Sequence, residues 1–229
     1  MGRKLLEQKQ RIDTERLYEP REALELLKGF EGAKFDESFE AHVNLNVDPR
    51  RADQMVRGTL MLPNGTGKSR RVAVFAVGDK AREAEEAGAD VVGADDLAAR
   101  IRDENFMEFD VAVATPDQMS VVGRLGQVLG PRGLMPNPKS GTVTMDVGRA
   151  VEDIKKGKIE YRVDRYGIIH SIFGKKSFDL DSLVTNYFAL REELQRVRPA
   201  PVKGRYFKSI TLTTTMGPSI KVDGSIEKE

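Results

Sequence analysis

The sequence contains no cysteine, which excludes disulfides and thiolate metal sites. It has only two histidines, His42 and His170, too few for a histidine-rich metal centre. No apolar run reaches the length needed to cross a bilayer. The N-terminal residues Met1-Gly2-Arg3-Lys4-Leu5 lead into a charged amphipathic segment instead of an apolar signal core. A cytoplasmic protein with no membrane partner and no cofactor is the expectation. A large charge of one sign is also missing: 37 basic residues stand against 36 acidic ones, a net charge of +1. As a whole-chain sum this weighs mildly against a nucleic-acid binder, but binding depends on local patches. What is present is a chain of 229 residues, 39% hydrophobic and 32% charged, which fits a globular protein of one large domain or two modest ones.

The apolar period changes twice along the chain. Residues 3–11 read as a short charged helix, and Pro20 opens a second one that Gly29 stops. From Ser38 the period is two: Phe39, Ala41, Val43, Leu45 and Val47 point one way, and Ser38, Glu40, His42, Asn44 and Asn46 the other. Residues 56–62 read as a second strand, antiparallel to the first. Residues 71–77 are nearly continuous apolar, as in a strand buried on both faces. Helix-like segments at 79–87 and 95–103 then alternate with strands at 90–93 and 110–114. A further helix is expected from Pro116-Asp117 towards Leu129, followed by a short strand at 142–144 and a helix at 147–156. After Lys158 the two-residue period returns, with Asp164-Arg165-Tyr166-Gly167 as a hairpin turn. A long helix at 180–197 and a final strand at 206–215 follow. The fold class expected is α/β and α+β in two domains. A terminal α+β domain of residues 1–67 and 159–229 carries an inserted three-layer, Rossmann-like α/β domain of residues 68–158. Chain crossings at 63–68 and 157–158 would form a double hinge, so relative domain motion is expected.

Catalytic motifs do not fit. Asn64-Gly65-Thr66-Gly67-Lys68-Ser69 resembles a phosphate loop, but the position that needs the first glycine is Leu62. The turn Gly78-Asp79-Lys80 lacks dinucleotide-binding glycine spacing. No nucleophile triad is available by motif, and Glu85-Glu86 and Asp95-Asp96 read as solvated helix faces. Basic residues, by contrast, cluster in the outer segments: Arg50, Arg51, Arg57, Arg162, Arg165, Lys175, Lys176, Lys203, Arg205 and Lys208. Such residues contact phosphates. Phe35 and Tyr166 lie in turns, where an aromatic ring either stacks on a base or packs inward. Glu40 and His42 either read ribose hydroxyls or are ordinary surface residues.

Near the C-terminus, Thr213-Thr214-Thr215-Met216-Gly217-Pro218-Ser219 combines a threonine-rich strand, suited to an edge, with a turn that allows close backbone approach. Alone it is either a plain edge strand or a recognition edge for a hydroxyl- and phosphate-rich ligand.

The stretch Val121-Val122-Gly123-Arg124-Leu125-Gly126-Gln127-Val128-Leu129-Gly130-Pro131-Arg132-Gly133-Leu134-Met135-Pro136-Asn137-Pro138-Lys139 closely resembles the bacterial large-subunit ribosomal protein L-one family, proteins of the mobile ribosomal stalk. Ala33-Lys34-Phe35-Asp36-Glu37-Ser38, Asp48-Pro49-Arg50-Arg51-Ala52-Asp53-Gln54, Arg57-Gly58-Thr59, Glu85-Glu86-Ala87-Gly88-Ala89-Asp90 and the Thr213 to Ser219 motif resemble it in the same order. The resemblance implies a terminal domain that binds 23S rRNA in the large ribosomal subunit, help in releasing deacylated tRNA at the exit site, and repression of the protein's own operon mRNA. It implies an RNA surface on Lys34, Phe35, Ser38, Glu40, Thr215, Met216 and Gly217. Weaker assignments fall on Arg51, Arg162, Asp164, Gly167, His170 and Ser209. The glycine-proline loop of the insert implies either a fold-fixing role or a secondary RNA or tRNA contact. The alternative is a small α/β enzyme with an interdomain active site.

Overall fold

The computed structural model describes residues 3–226. In chain order, helices α1 (Arg3–Gln10) and α2 (Pro20–Gly29) precede strands β1 (Ser38–Leu45) and β2 (Arg57–Met61). Strand β3 (Val72–Phe75) begins a β-α alternation through α3 (Asp79–Glu86), β4 (Val91–Gly93), α4 (Asp95–Asp103) and β5 (Val111–Ala114). Helices α5 (Met119–Gly123), α6 (Gly126–Leu129) and α7 (Val147–Lys155) follow. The chain then returns through β6 (Lys158–Arg162), β7 (Ile168–Lys175), α8 (Leu180–Arg196), β8 (Phe207–Thr214) and β9 (Ser219–Val222). It divides into two compact units, Met1–Gly67 with Ile159–Glu229, and Lys68–Lys158.

In the unit built from both chain ends, four antiparallel strands lie in the order β7-β1-β8-β9. The alternation in β1 decides which side becomes the core. Phe39, Ala41, Val43 and Leu45 are all buried, while Glu40, His42 and Asn44 remain half-exposed. Helices α2 and α8 cover the apolar side. Helix α2 starts on Pro20, whose fixed φ suits the first turn, and buries Ala23, Leu24 and Leu27. Helix α8 is capped by Asp179, whose carboxylate accepts the Ser182 N–H, and it buries Leu183, Asn186, Tyr187, Leu190 and Leu194 at helical spacing. Asn186 is an amide inside this core. Its oxygen accepts the Asn64 N–H at 3.0 Å, and its NH2 donates to the Gly65 and Phe173 carbonyls at 2.9 and 2.8 Å.

Strand pairing departs from the sequence expectation in three places. Strand β2 does not pair with β1; it forms a separate two-stranded sheet with β6. Strands β6 and β7 flank a tight turn but form no ladder, only the bridge between Val163 and Ile169. Strand β8, which carries Thr213 and Thr214, lies inside the sheet, and the edge strands are β7 and β9. Period two fixes which side of a strand is buried, but it does not encode the neighbour.

In the second unit a parallel three-stranded sheet has the order β4-β3-β5. All four residues of β3 are buried because helices cover both faces. Val72 and Val74 pack with α3 and α7, while Ala73 and Phe75 pack with residues of α4, α5 and α6. The helix expected over 116–129 is broken into a 3-10 turn and two short helices, with glycines at 123 and 126 where the breaks fall. Residues 142–144 contribute only a single parallel bridge, Val143 to Ala114.

Candidate nucleic-acid interface

Two loops from opposite ends of the sequence meet at one end of β1, and a buried carboxylate holds them. Glu37 is only 1% exposed. Its Oε1 accepts the Ala33 N–H at 2.6 Å, its Oε2 accepts the Met216 N–H at 3.0 Å, and it also accepts the Thr214 hydroxyl. Burial works to raise its pKa, but these donors and the Lys176 charge outweigh burial, so the net shift is downward. Beside it the Thr215 N–H donates to the Ser38 carbonyl, and the Ser38 N–H donates to the Thr215 hydroxyl at 2.9 Å. The Asp36 carboxylate accepts the N–H and hydroxyl of Ser177, which ties the first loop to the end of β7.

Internal bonding on this scale leaves the two large apolar side chains of these loops outside. Phe35 is 55% exposed and Met216 62% exposed. Lys34 and Thr215 are exposed beside them. Gly217 is crowded: a Cβ there would fall far inside contact distance of the Thr214 hydroxyl that serves Glu37. Ser38 is buried and contributes to the clamp through its backbone.

The polar side of the sheet continues from this corner. Across the strands, His170, His42, Thr211 and Lys221 form one row, and Glu40, Thr213 and Ser219 another. Asn44 pairs with Ser209 one step further along β1. The His42 and His170 rings meet Nδ1 to Nδ1 at 2.8 Å. Burial pushes the His42 pKa below its ordinary value near 6.5, a charge on His170 pushes the same way, and Glu40 opposes both.

At the far end the turn after β6 is organised by Asp164. Its Oδ1 accepts the N–H groups of Tyr166 and Ile168, both at 2.8 Å. Burial works to raise the Asp164 pKa, but these two donors and His170 outweigh it and leave it lowered. Gly167 has φ 84° and its carbonyl oxygen accepts the Leu45 N–H, so this turn closes tightly on β1. Tyr166 is 69% exposed with the Arg165 guanidinium over its ring. Arg162 is exposed nearby in sequence.

Lys34, Phe35, Glu40, His170, Ser209, Thr215, Met216 and Gly217 therefore lie on one strip along β1, roughly 20 Å long at about 3.3 Å per residue. Asp164, Gly167 and Ser38 shape that strip through internal bonds. Arg51 lies beyond the end of β1, beside Asp53 at 3.7 Å. Several cations picked out by charge alone serve the fold: Arg57 pairs with Glu160 at 2.6 Å, Lys175 donates to the Asp36 carbonyl and Lys176 to the Phe30 carbonyl. Sequence reasoning missed Glu37. The available signal was the pair Gly32 and Gly217, each crowded against this carboxylate or its partner.

Among the described residues, no group of three or more His, Cys, Asp or Glu is placed to hold a metal ion, and no helix is long and apolar enough to cross a membrane. The family model described as "Ribosomal protein L1p/L10e family" matches residues 27–218. The chain belongs to the ribosomal protein L1p/L10e family. It is 79% identical over 228 residues to "Large ribosomal subunit protein uL1" of Rubrobacter xylanophilus, covering 100% of this chain and 99% of that relative. The L1p/L10e assignment makes this a structural ribosomal protein and removes the enzyme alternative.

Proposed function

We propose that the protein is part of the large ribosomal subunit and that its terminal unit binds 23S rRNA directly in the mobile stalk. The observation that carries this is the Glu37 clamp. It fixes the loops bearing Phe35 and Met216 from within and leaves both side chains exposed at the head of a hydroxyl-lined sheet face. Such a surface suits RNA, which is recognised through shape, 2′-hydroxyls and stacked bases. Exposed cations such as Lys34 and Arg162 add salt-dependent attraction to phosphates. Filter binding of an rRNA stalk transcript at several salt concentrations tests it: the expected result is selective binding that weakens with salt. No selective binding at low salt would remove the function.

The same surface would take a like-shaped RNA in the operon mRNA, making the protein a translational repressor of its own operon. The stalk would help release deacylated tRNA from the exit site, and the protein would act in the cytoplasmic ribosome. The relative's name and the family description support the ribosomal part. Translation of the operon mRNA with added protein tests repression, and tRNA dissociation from ribosomes with and without the protein tests release.

A further inference from the structure

Among the described residues, the most exposed large apolar side chain is Tyr166, at 69%, ahead of Met216 and Phe35 at the head of the proposed RNA face. The turn that carries it is tightly bonded. Asp164 Oδ1 accepts the N–H groups of Tyr166 and Ile168, and the Gly167 N–H donates to the Asp164 carbonyl at 3.2 Å. The Asp164 N–H donates in turn to the Ile168 carbonyl at 2.9 Å. A Cβ on Gly167 would lie 3.2 Å from the Leu45 carbonyl oxygen, so the turn is seated directly against the end of β1. The backbone beneath the ring is therefore ordered before any ligand arrives, which lowers the cost of binding.

Position in the sheet places this ring at the end of the strip. In β7 the odd-numbered Ile169 and Ser171 are buried, while Ile168 and His170 lie on the polar side. Asn44 pairs with Ile168, and the Leu45 N–H bonds to the Gly167 carbonyl, so the register reaches Tyr166 opposite Asn46. Tyr166 extends the even-numbered row. At the other end of β1, Ser38 is bonded to Thr215, beside Met216. Ser38 and Leu45 bound the strand, so about 23 Å separates the two places at ~3.3 Å per residue.

The chemistry of the turn suits a base. The Arg165 guanidinium carbon lies 4.9 Å from the Tyr166 ring centroid and covers one face. With the side chain 69% exposed, the opposite face is open to solvent. A base stacks on such an aromatic face whatever its identity, because every base has a π face. In an A-form duplex the bases already cover one another, so the ring selects an unpaired base from a loop, bulge or end. Arg165 is itself exposed and sets a positive charge beside the ring for the adjoining phosphate.

We propose that Tyr166, backed by Arg165, stacks on one unpaired base of the bound RNA and forms a second anchor, separate from the Phe35–Met216 corner. The spacing assigns the two anchors to different nucleotides. Together they fix the register of the RNA along the strip, which a single anchor does not. The inference rests on the RNA-binding function proposed above.

The test measures affinity for the rRNA stalk transcript over a range of salt concentrations, with wild-type protein and the variants Tyr166→Ala, Tyr166→Phe and Arg165→Gln. Tyr166→Ala should lower affinity about tenfold. The slope of log affinity against log salt should stay as in wild type, because stacking releases no counterions. Tyr166→Phe keeps the π face and should restore most of the loss. Arg165→Gln should make the salt slope shallower by about 0.7, the value for one phosphate of a single strand. Base-specific chemical probing of the bound transcript reads the contact directly: one unpaired base should be protected by wild type and by Tyr166→Phe, and reactive with Tyr166→Ala. An affinity for Tyr166→Ala within about twofold of wild type, or an unchanged protection pattern, overturns the stacking anchor alone. A Tyr166→Phe variant as weak as Tyr166→Ala overturns it as well, since the hydroxyl would then make the contact. Wild-type protein that binds the transcript without selectivity overturns the RNA function itself.

Discussion

The Glu37 carboxylate accepts the backbone N–H of Met216 at 3.0 Å, so a buried side chain from the N-terminal part of the chain sets the position of an exposed residue near the C-terminus. The same carboxylate accepts the Ala33 N–H. One group thereby aligns both loops of the proposed RNA surface without itself reaching the solvent.

Glu37→Gln should weaken both stability and RNA affinity. The amide has a single acceptor oxygen, so one of the N–H groups of Ala33 and Met216 would face an NH2 group. Loss of buried hydrogen bonding on this scale costs about 1–3 kcal/mol. Urea denaturation and filter binding measure the two effects, and a variant with wild-type values in both would disprove the clamp.

Met216→Asp should separate affinity from folding. Because Met216 is 62% exposed, its replacement should change stability by less than about 0.5 kcal/mol. A carboxylate set against phosphates should reduce RNA affinity by about tenfold or more. Unchanged affinity would take Met216 out of the interface.

Gly217→Ala should act through Thr214. The new methyl group cannot coexist with the Thr214 hydroxyl in its present place, and displacing it withdraws a donor from Glu37. The expected loss is about 1–3 kcal/mol, as for overpacking at a filled site. In a double-mutant cycle with Thr214→Ala the two effects should be strongly non-additive; simple additivity would rule out this route.

Asn186→Ala should destabilise the terminal unit by about 3 kcal/mol, because it strands the Asn64 N–H and the Gly65 and Phe173 carbonyls. Equilibrium unfolding in urea checks this, and a loss below about 0.5 kcal/mol would be at odds with buried bonds.

Acid should weaken both units. Glu37 in the terminal unit, and Asp90 in the insert, have pKa values lowered on folding. At Asp90 burial opposes the shift, and the Val72 N–H and Lys155 prevail. A lowered folded-state pKa gives stability that is complete above the unfolded value, near 4.5 for Glu37 and 3.8 for Asp90, and lost as pH falls through the folded value. Thermal melts should thus shift downward below about pH 4.5, and Glu37→Gln should shift less than wild type. An identical acid shift in the variant would contradict the assignment to Glu37.

The sequence by itself determined the local elements. Alternation in residues 38–45 set the buried and polar sides of β1, Pro20 and Gly29 bounded α2, and the continuous apolar run of β3 marked a strand covered on both faces. These follow from short-range periodicity and backbone preference, which operate within a few residues. The tertiary structure alone decided the partners. It joined β2 to β6, put β8 inside the sheet, buried Glu37 beneath Met216 and brought His42 within 2.8 Å of His170. Periodicity gives a side chain its direction but not what it meets. That depends on strand order and register, which are fixed by packing among residues remote in the chain.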